Sequence, residues 1–495
     1  MSAVPIGPAL VLLTLLAFAL RVYGLGNQSL WLDEVDAIAM AGDPVTSQLR
    51  KLVAIGENGP LYFLIFKGWI GLAGASEFGA RYLSCLASTL AVPLLGVLTL
   101  RLTRSASAAF GAAALGATSP YYVWFGQDAK MYPLYAALAI GAQYALLRGC
   151  AAGGWRWWAA YVASSSLALY IHIFAALQIP ANTLAGIVML SRARHGDQSR
   201  HAPGSVGRRQ WLGFGIATAL LVVPYVPLAA WQAPVLFRGA NVGYRPTSLP
   251  SMLIALGEQL TWHLNPAPDR YLLLPLLGIA LVGLWRLWRR QSHAAGMVMI
   301  WLVVPVLLIF LVQFTVPVFR DRYLIPLLVP LLIMFASALV GGPGHVGIVA
   351  ALFLAGGWAY SLAHRPPNPD YRAAAALVRQ SIRAGERVGF LAEYTERPLA
   401  WYYAKPASQA GQADRTQRYD KAVLPYTNFP GMTEQDGLVA VARGLRGGEG
   451  LWIVRFEDWL WDARDLTTQY LRNRGAQRTL YREYDGVSVS RWEVP

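Results

Sequence analysis

The feature that most constrains this chain is the recurrence of apolar runs of membrane-crossing length. A helix needs about 20 residues to cross a hydrocarbon core, and such runs recur from the N-terminus to Tyr360. Candidate spans are residues 5–25, 78–100, 107–124, 131–147, 156–172, 174–190, 210–230, 271–288, 295–314, 323–341 and 346–361. With 55% hydrophobic and 14% charged residues over 495 positions, the chain reads as a polytopic α-helical membrane protein of about eleven transmembrane helices, not as two or three soluble domains. The first run has no basic stretch before Val11 and no small-x-small site after it, so it reads as a retained helix and not as a cleaved signal.

Charge sets the expected sidedness. The net charge of +15 is concentrated in the membrane part: residues 362–495 hold 19 Lys/Arg and 16 Asp/Glu, leaving 23 basic and 11 acidic residues before them. No basic stripe with interleaved aromatics stands clear of the apolar runs, which argues against a nucleic-acid partner and for membrane lipids. If Pro60–Ala73, short for a span and with Lys67 near its middle, lies in the interface, the loops 101–106, 148–156, 191–209 and 286–293 share one side. They carry Arg101, Arg104, Arg148, Arg156, Arg192, Arg194, Arg200, Arg208, Arg209, Arg286, Arg289 and Arg290 with a single acid, Asp197. Arginine enrichment marks the cytoplasmic side. The expected protein is thus an inner-membrane protein with a cytoplasmic N-terminus, a membrane domain over 1–361 and a small extracytoplasmic α/β domain over 362–495.

The outer side then collects the candidate chemistry. The first outer loop, residues 26–77, contains Trp31-Leu32-Asp33-Glu34-Val35-Asp36 and Glu57-Asn58-Gly59-Pro60-Leu61-Tyr62; later outer segments carry Gln127-Asp128-Ala129-Lys130 and Phe319-Arg320-Asp321-Arg322-Tyr323. The spacing of Asp33, Glu34 and Asp36 suits a helix cap at headgroup level as well as it suits catalysis. Arg320 and Arg322 serve equally as snorkelling anchors or as a phosphate site. His172, at an outer helix end, is a site residue or a histidine satisfied between helices. Tyr121, Tyr122 and Trp124 read as interface anchors. Cys85 and Cys150 show neither disulfide nor zinc-ligand spacing.

After the Pro-rich linker at 364–369, the tail predicts helices over 371–383, 435–445 and 462–472 and strands over 387–392 and 450–456. Two further strands, 478–484 and 486–492, form a hairpin about Asp485-Gly486.

Taken in order, Trp31-Leu32-Asp33-Glu34, Glu57-Asn58-Gly59-Pro60-Leu61-Tyr62, Ser76-Glu77-Phe78-Gly79-Ala80-Arg81, Gln127-Asp128-Ala129-Lys130-Met131-Tyr132 and Arg322-Tyr323-Leu324-Ile325-Pro326 resemble the GT-C membrane glycosyltransferases. The resemblance is to the bacterial branch related to protein O-mannosyltransferases and to the lipid A aminoarabinose transferase. It implies the GT-C fold and transfer of a sugar from a polyprenyl-phosphate donor to a lipid, glycan or protein acceptor outside the membrane. By that likeness Asp33 is the catalytic carboxylate, and Glu57, Gln127 and Asp128 line its cavity, with Tyr62 and His172 beside them. Many relatives read Glu-Lys-Pro-Pro where this chain has Glu57-Asn58-Gly59-Pro60, so either Lys130, Arg81, Arg320 or Arg322 takes the carrier phosphate or the donor sits differently.

The chemistry agrees with that reading. An acceptor hydroxyl needs a base, for which Asp33 is the candidate with Glu34 or Asp128 orienting it. The leaving phosphate needs Lys or Arg, or a divalent cation that Asp33, Asp36 and Asp128 would hold; metal is not expected to be obligatory. One displacement would invert the anomeric centre. The rival readings are a lipid-linked-sugar transporter, with ionisable residues inside its spans, a non-catalytic envelope scaffold, and a glycan polymerase or ligase.

Overall fold

The computed structural model describes residues 6–51, 59–197, 205–237, 246–263, 270–340, 344–391, 393–404, 419–423, 433, 435, 450–458, 462–493 and 495. Contacts divide the chain into two compact units. The first holds Met1–Tyr23, Asp43–Phe66 and Arg81–Arg365; the second holds Gly24–Gly42, Lys67–Ala80 and Pro366–Pro495. This grouping differs from the expected division at 361/362 in that Gly24–Gly42 and Lys67–Ala80 cluster with the tail.

The helices of the N-terminal two-thirds are α1 (Ile6–Val22), α2 (Leu32–Gly42), α3 (Val45–Lys51), α4 (Pro60–Ala73), α5 (Glu77–Thr103), α6 (Ala106–Thr118), α7 (Pro120–Gly126), α8 (Tyr132–Ala152) and α9 (Trp155–Ile171). They continue with α10 (Gln178–Asp197), α11 (Ser205–Phe237), α12 (Leu249–Thr261), α13 (Leu273–Arg290), α14 (Ser292–Val312), α15 (Leu328–Leu339) and α16 (Gly344–Ala363). Among the described residues seven helical segments are long and apolar enough to cross a membrane, and Ile6–Val22, Pro60–Ala73 and Ala106–Thr118 are shorter apolar helices. The chain is thus a multi-pass membrane protein. At 14 residues and 1.5 Å per residue, α4 reaches about 21 Å, short of a roughly 30 Å core.

The run expected as one span over 107–124 is two helices. Pro120 has no N–H to continue α6, and the Ser119 hydroxyl accepts from the Tyr122 N–H to start α7. The break is held by a residue the sequence reading passed over. Arg21, fully buried at the end of α1, donates from Nε to Ser88 Oγ at 2.7 Å and from its terminal nitrogens to the carbonyls of Ala17, Ala117 and Gly116 at 2.9–3.0 Å. Two of those carbonyls close the end of α6, where a cation complements the helix dipole. Gln127 reciprocates: its Nε2 lies 2.8–3.3 Å from the carbonyls of Leu20, Arg21 and Tyr23 at the end of α1. Gly126 passes between, since a Cβ there would lie 3.0 Å from Ser88 and 3.1 Å from Arg21 Cγ.

Elsewhere in this unit small residues let helices approach, as lipid-embedded packing requires. Gly283 of α13 leaves no room for a Cβ against the Met334 carbonyl of α15, and Gly149 of α8 lies 2.9 Å, as a virtual Cβ, from the Trp158 ring of α9.

The tail adds α17 (Tyr371–Ser381), α18 (Glu396–Tyr403) and α19 (Leu466–Asn473). Its strands are β1 (Arg387–Phe390), β2 (Asp420–Val423), β3 (Gly450–Arg455), β4 (Gln477–Tyr484) and β5 (Val487–Glu493). They form one sheet in the order β2-β1-β3-β5-β4, parallel across β2-β1-β3 and antiparallel across β3-β5-β4. The hairpin turns at Asp485-Gly486, with Gly486 at φ +68°. The helix over 462–472 starts instead at Leu466, because both Asp462 carboxylate oxygens accept N–H groups of its first turn. The helix expected over 435–445 lies outside the described residues apart from Gln435. Glu386 knits the sheet: it accepts from Arg491 at 2.6 Å and from Trp452 Nε1 at 2.7 Å. Burial opposes its charge, and these bonds together with the Arg383 N–H outweigh that and hold its carboxyl below the ordinary value.

Arg21→Met should lower the melting temperature of the purified protein by several degrees, because two helix-end carbonyls lose their donors, each such loss costing about 1–3 kcal/mol. Gly126→Ala should act in the same direction through Arg21. Unchanged melting of both would remove this cluster as a structural anchor.

Candidate active site

In the first unit the motifs converge on a histidine. His172 ends α9 with an extended backbone and is 1% exposed. Its ring stacks on Tyr135 (centroids 5.3 Å apart, 7° between planes) and is flanked by Tyr132 at 5.5 Å, Phe174 at 5.6 Å and Tyr323 at 5.3 Å. Its Nδ1 accepts the Phe174 N–H at 3.3 Å, which leaves the neutral ring's proton on Nε2. The Arg322 guanidinium lies 5.8 Å above the Tyr132 ring. Gly59 reaches the same place. Its φ is +82°, and a Cβ would sit 2.6 Å from the Ile171 carbonyl and 3.1 Å from Met131 Sδ. Proline, locked near −65°, has no place on this backbone, which fits glycine at position 59 where Glu-Lys-Pro-Pro has its first proline. Parts of three separate motifs thus surround one aromatic box.

A second cluster lies at α7. Tyr121, fully buried, donates to Asp321 Oδ2 at 3.0 Å, tying α7 to the 3₁₀ segment Asp321–Leu327. His263 packs edge-on to Tyr121 at 5.1 Å and to Trp124 at 4.7 Å, and the Arg365 guanidinium covers the other aromatic contact at 4.2 Å from the Trp124 ring. Arg365 also donates to Gln127 Oε1. His263 holds φ +48°, rare for a residue with a Cβ, and its Nδ1 is buried with no hydrogen-bond partner. Burial first, and the Arg365 charge second, lower its pKa from 6.5 to about 3. Asp128 is 5% exposed in the turn after α7, where its carbonyl accepts from the Lys130 N–H at 2.7 Å. The Lys130 carbonyl accepts from Ser84 Oγ at 2.9 Å, and Arg81, 2% exposed, precedes Ser84 by one turn of α5. Arg320 is exposed and Arg322 half-buried.

In the second unit, Asp33 and Glu34 occupy the first turn of α2. Glu34 is buried and its carboxylate accepts the Trp31 N–H at 3.2 Å, the return half of a capping box. Asp36 pairs with Arg397 of α18 at 2.7 Å. Asp33, between them, is half-buried. The segment leading into α2 is fixed by the tail: the Leu30 N–H donates to the Tyr402 hydroxyl at 2.6 Å, Tyr402 donates to Glu77 at 2.9 Å, and Ser29 Oγ donates to the Pro369 carbonyl at 2.5 Å.

Several expected site residues thus take other work. Gln127 caps α1, Tyr62 is buried and stacked on Phe66 at 5.4 Å, and Glu34 caps its own helix. Glu57 lies outside the described residues. Among the described residues no three His, Cys, Asp or Glu side chains gather as metal ligands, and Asp36 is committed to Arg397.

Residues 57–206 match the family model of dolichyl-phosphate-mannose-protein mannosyltransferase. ArnT from Cupriavidus metallidurans in the apo state is similar over 97% of this chain and 97% of its own, with a TM-score of 0.56 at 14% identity. The same protein bound to undecaprenyl phosphate gives 0.55, also at 14% identity and with 97% of each chain covered. The Archaeoglobus fulgidus oligosaccharyltransferase in its apo form gives 0.51 at 11% identity, over 92% of this chain and 70% of that one. No curated protein matches the chain in sequence. The chain has the GT-C fold.

Within this GT-C fold the residues that sequence reading passed over are Arg21, Arg365, Arg397 and Tyr402. Only Arg21 carried a signal, a charge inside an apolar run. The others act through tertiary contacts that no local pattern announces.

Because folded His263 resists protonation that the unfolded chain accepts, its contribution to stability is complete above about pH 6.5 and is lost as pH falls towards 3. His263→Asn, which tolerates positive φ, should flatten the fall in melting temperature between pH 6.5 and 4. An acid profile identical to that of the parent protein would contradict the assignment.

Proposed function

We propose that this GT-C protein is a glycosyltransferase that moves a sugar from a polyprenyl-phosphate donor to an acceptor hydroxyl, with Asp33 as general base. The observation that carries the reading is the treatment of Asp33. The helix bearing it is fixed at three points beside it, through Leu30, Glu34 and Asp36. A chain that needed only a capped surface helix would have no use for such bracing. The likeness to ArnT, whose complex with undecaprenyl phosphate has been solved, supports a lipid-linked donor. The match to a mannosyltransferase family model over residues 57–206 supports sugar transfer.

The steps follow from ordinary chemistry. Asp33 takes the acceptor proton as its oxygen bonds the anomeric carbon, and the carbon–oxygen bond to the phosphate breaks with both electrons leaving on the phosphate. One displacement inverts the anomeric centre. The departing charge needs cationic groups aimed at it. Arg322, beside the Tyr132 ring, is the first candidate, with Lys130, Arg81 and Arg320 following. Arg and Lys suffice for this, so no divalent cation is required. The rich Arg content of the loops at 101–106, 148–156 and 286–293 supports a cytoplasmic N-terminus and an outer location for α2 and the tail.

The test is donor consumption by the protein in lipid nanodiscs over a panel of polyprenyl-phosphate sugars. Asp33→Asn should cut the rate 10²- to 10⁴-fold, the usual worth of a general base, and a chelator should leave the rate unchanged. Donor that binds but is never consumed, across a broad acceptor set, would hand the site to a transporter. Arg397→Ala with Tyr402→Phe, which release α2 without touching Asp33, should lower kcat about tenfold or more through misplacement. Full activity of that double variant would remove the tail from catalysis.

A further inference from the structure

The second unit contains a cleft of about 330 Å³ that the proposed chemistry leaves unused. Three segments far apart in sequence form it: the run into α2 (Asn27, Gln28, Ser29), the linker and first turns of α17 (Asn368, Asp370, Arg372), and the hairpin turn at Asp485. The walls are cross-linked. The Asn368 N–H donates to Gln28 Oε1 at 3.3 Å, the Asp370 N–H to the Asp485 carbonyl at 2.9 Å, and Arg372 to the Asn27 carbonyl at 3.5 Å and to Glu77 at 3.0 Å. A Cβ on Gly486 would meet Pro369 at 3.8 Å, so the hairpin turn packs on the linker beside the cleft. The cleft is therefore preorganised, and its volume falls at the small end of ligand sites, about ten waters' share.

Its lining selects the ligand class. Amides, a hydroxyl and carboxylates alternate donors with acceptors, as sugar hydroxyls do. The apolar lining, Pro367, Ala373 and Ala376, is too short to grip an acyl or prenyl chain. Phosphate is disfavoured, because among the described residues the one basic side chain in the lining, Arg372, is paired with Glu77 while Asp370 and Asp485 supply two carboxylates. Ser29, in the wall, precedes Asp33 by four residues along a segment pinned by Tyr402 and Pro369. We infer that this cleft is a saccharide subsite that holds the acceptor, so the acceptor is an uncharged or amino-substituted glycan and not a bare lipid or peptide.

The role as acceptor subsite rests on the transferase reading; binding of saccharide does not. The full chain in nanodiscs is titrated with neutral di- to tetrasaccharides, followed by saturation-transfer NMR, with donor consumption measured on the same preparation. At least one saccharide should bind. Asn27→Ala with Asp485→Asn should weaken it about tenfold, as loss of two hydrogen bonds predicts. Ala376→Phe, which fills the cleft and removes no polar group, should abolish binding without lowering the melting temperature. Asp33→Asn should keep the affinity. No bound saccharide, or binding indifferent to both cleft variants, overturns the inference. Turnover of donor without saccharide binding overturns the subsite alone and leaves the transferase standing. Binding sensitive to the cleft variants with no turnover of any donor supports the cleft and removes the transferase.

Discussion

The first unit depends on a guanidinium that, among the described residues, meets oxygens of carbonyls and a hydroxyl and no carboxylate. Arg21 sits where a charge is most expensive, and it survives there because its nitrogens meet carbonyl and hydroxyl oxygens from α1, α5 and α6. Two needs meet in one place: a buried cation seeks acceptors, and a broken helix has carbonyls with no donors. Neither is satisfied alone. Gln127 completes the exchange by serving the end of α1, and Arg365 closes it from the end of the membrane part. The consequence is a fixed departure angle for α7, from which Tyr121 meets Asp321 and Trp124 meets His263.

The aromatic box about His172 is built by different means. Its walls come from α8, from the 3₁₀ turn after α9, and from the segment at Tyr323, so it exists only when three distant helix ends meet. Glycine at position 59 is the device that lets the chain before α4 approach this close. Rings there confer rigidity and a low dielectric, in which nearby cations such as Arg322 act with greater force.

Much of this was legible in the sequence, and the divisions are physical. Apolar runs report helices faithfully because burial of backbone in lipid leaves few alternatives. Hence α8, α13, α14 and α16 fall close to their expected bounds, and the hairpin about Asp485-Gly486 follows from turn chemistry. The run 107–124 misled because hydropathy does not register a Ser-Pro break. Among the candidate site residues, Asp33, His172 and Arg322 were singled out by their type and order. Gln127 and Glu34 also satisfy backbone groups at helix ends, a use that residue type alone does not announce. Arg397 and Tyr402 lie in the tail, 361 residues from Asp36 and 372 from Leu30, and no window reaches that far.

That separation has a bearing on how the protein comes into being. The segment carrying Asp33 emerges early in synthesis, yet the groups that brace it, at Pro369, Arg397 and Tyr402, are made near the end. Contacts so distant in sequence form last. A nascent or truncated chain can therefore insert its helices while its acidic helix still lacks a scaffold. Synthesis of the stretch from Pro369 to Tyr402 is then the step that gives the acidic helix its braces.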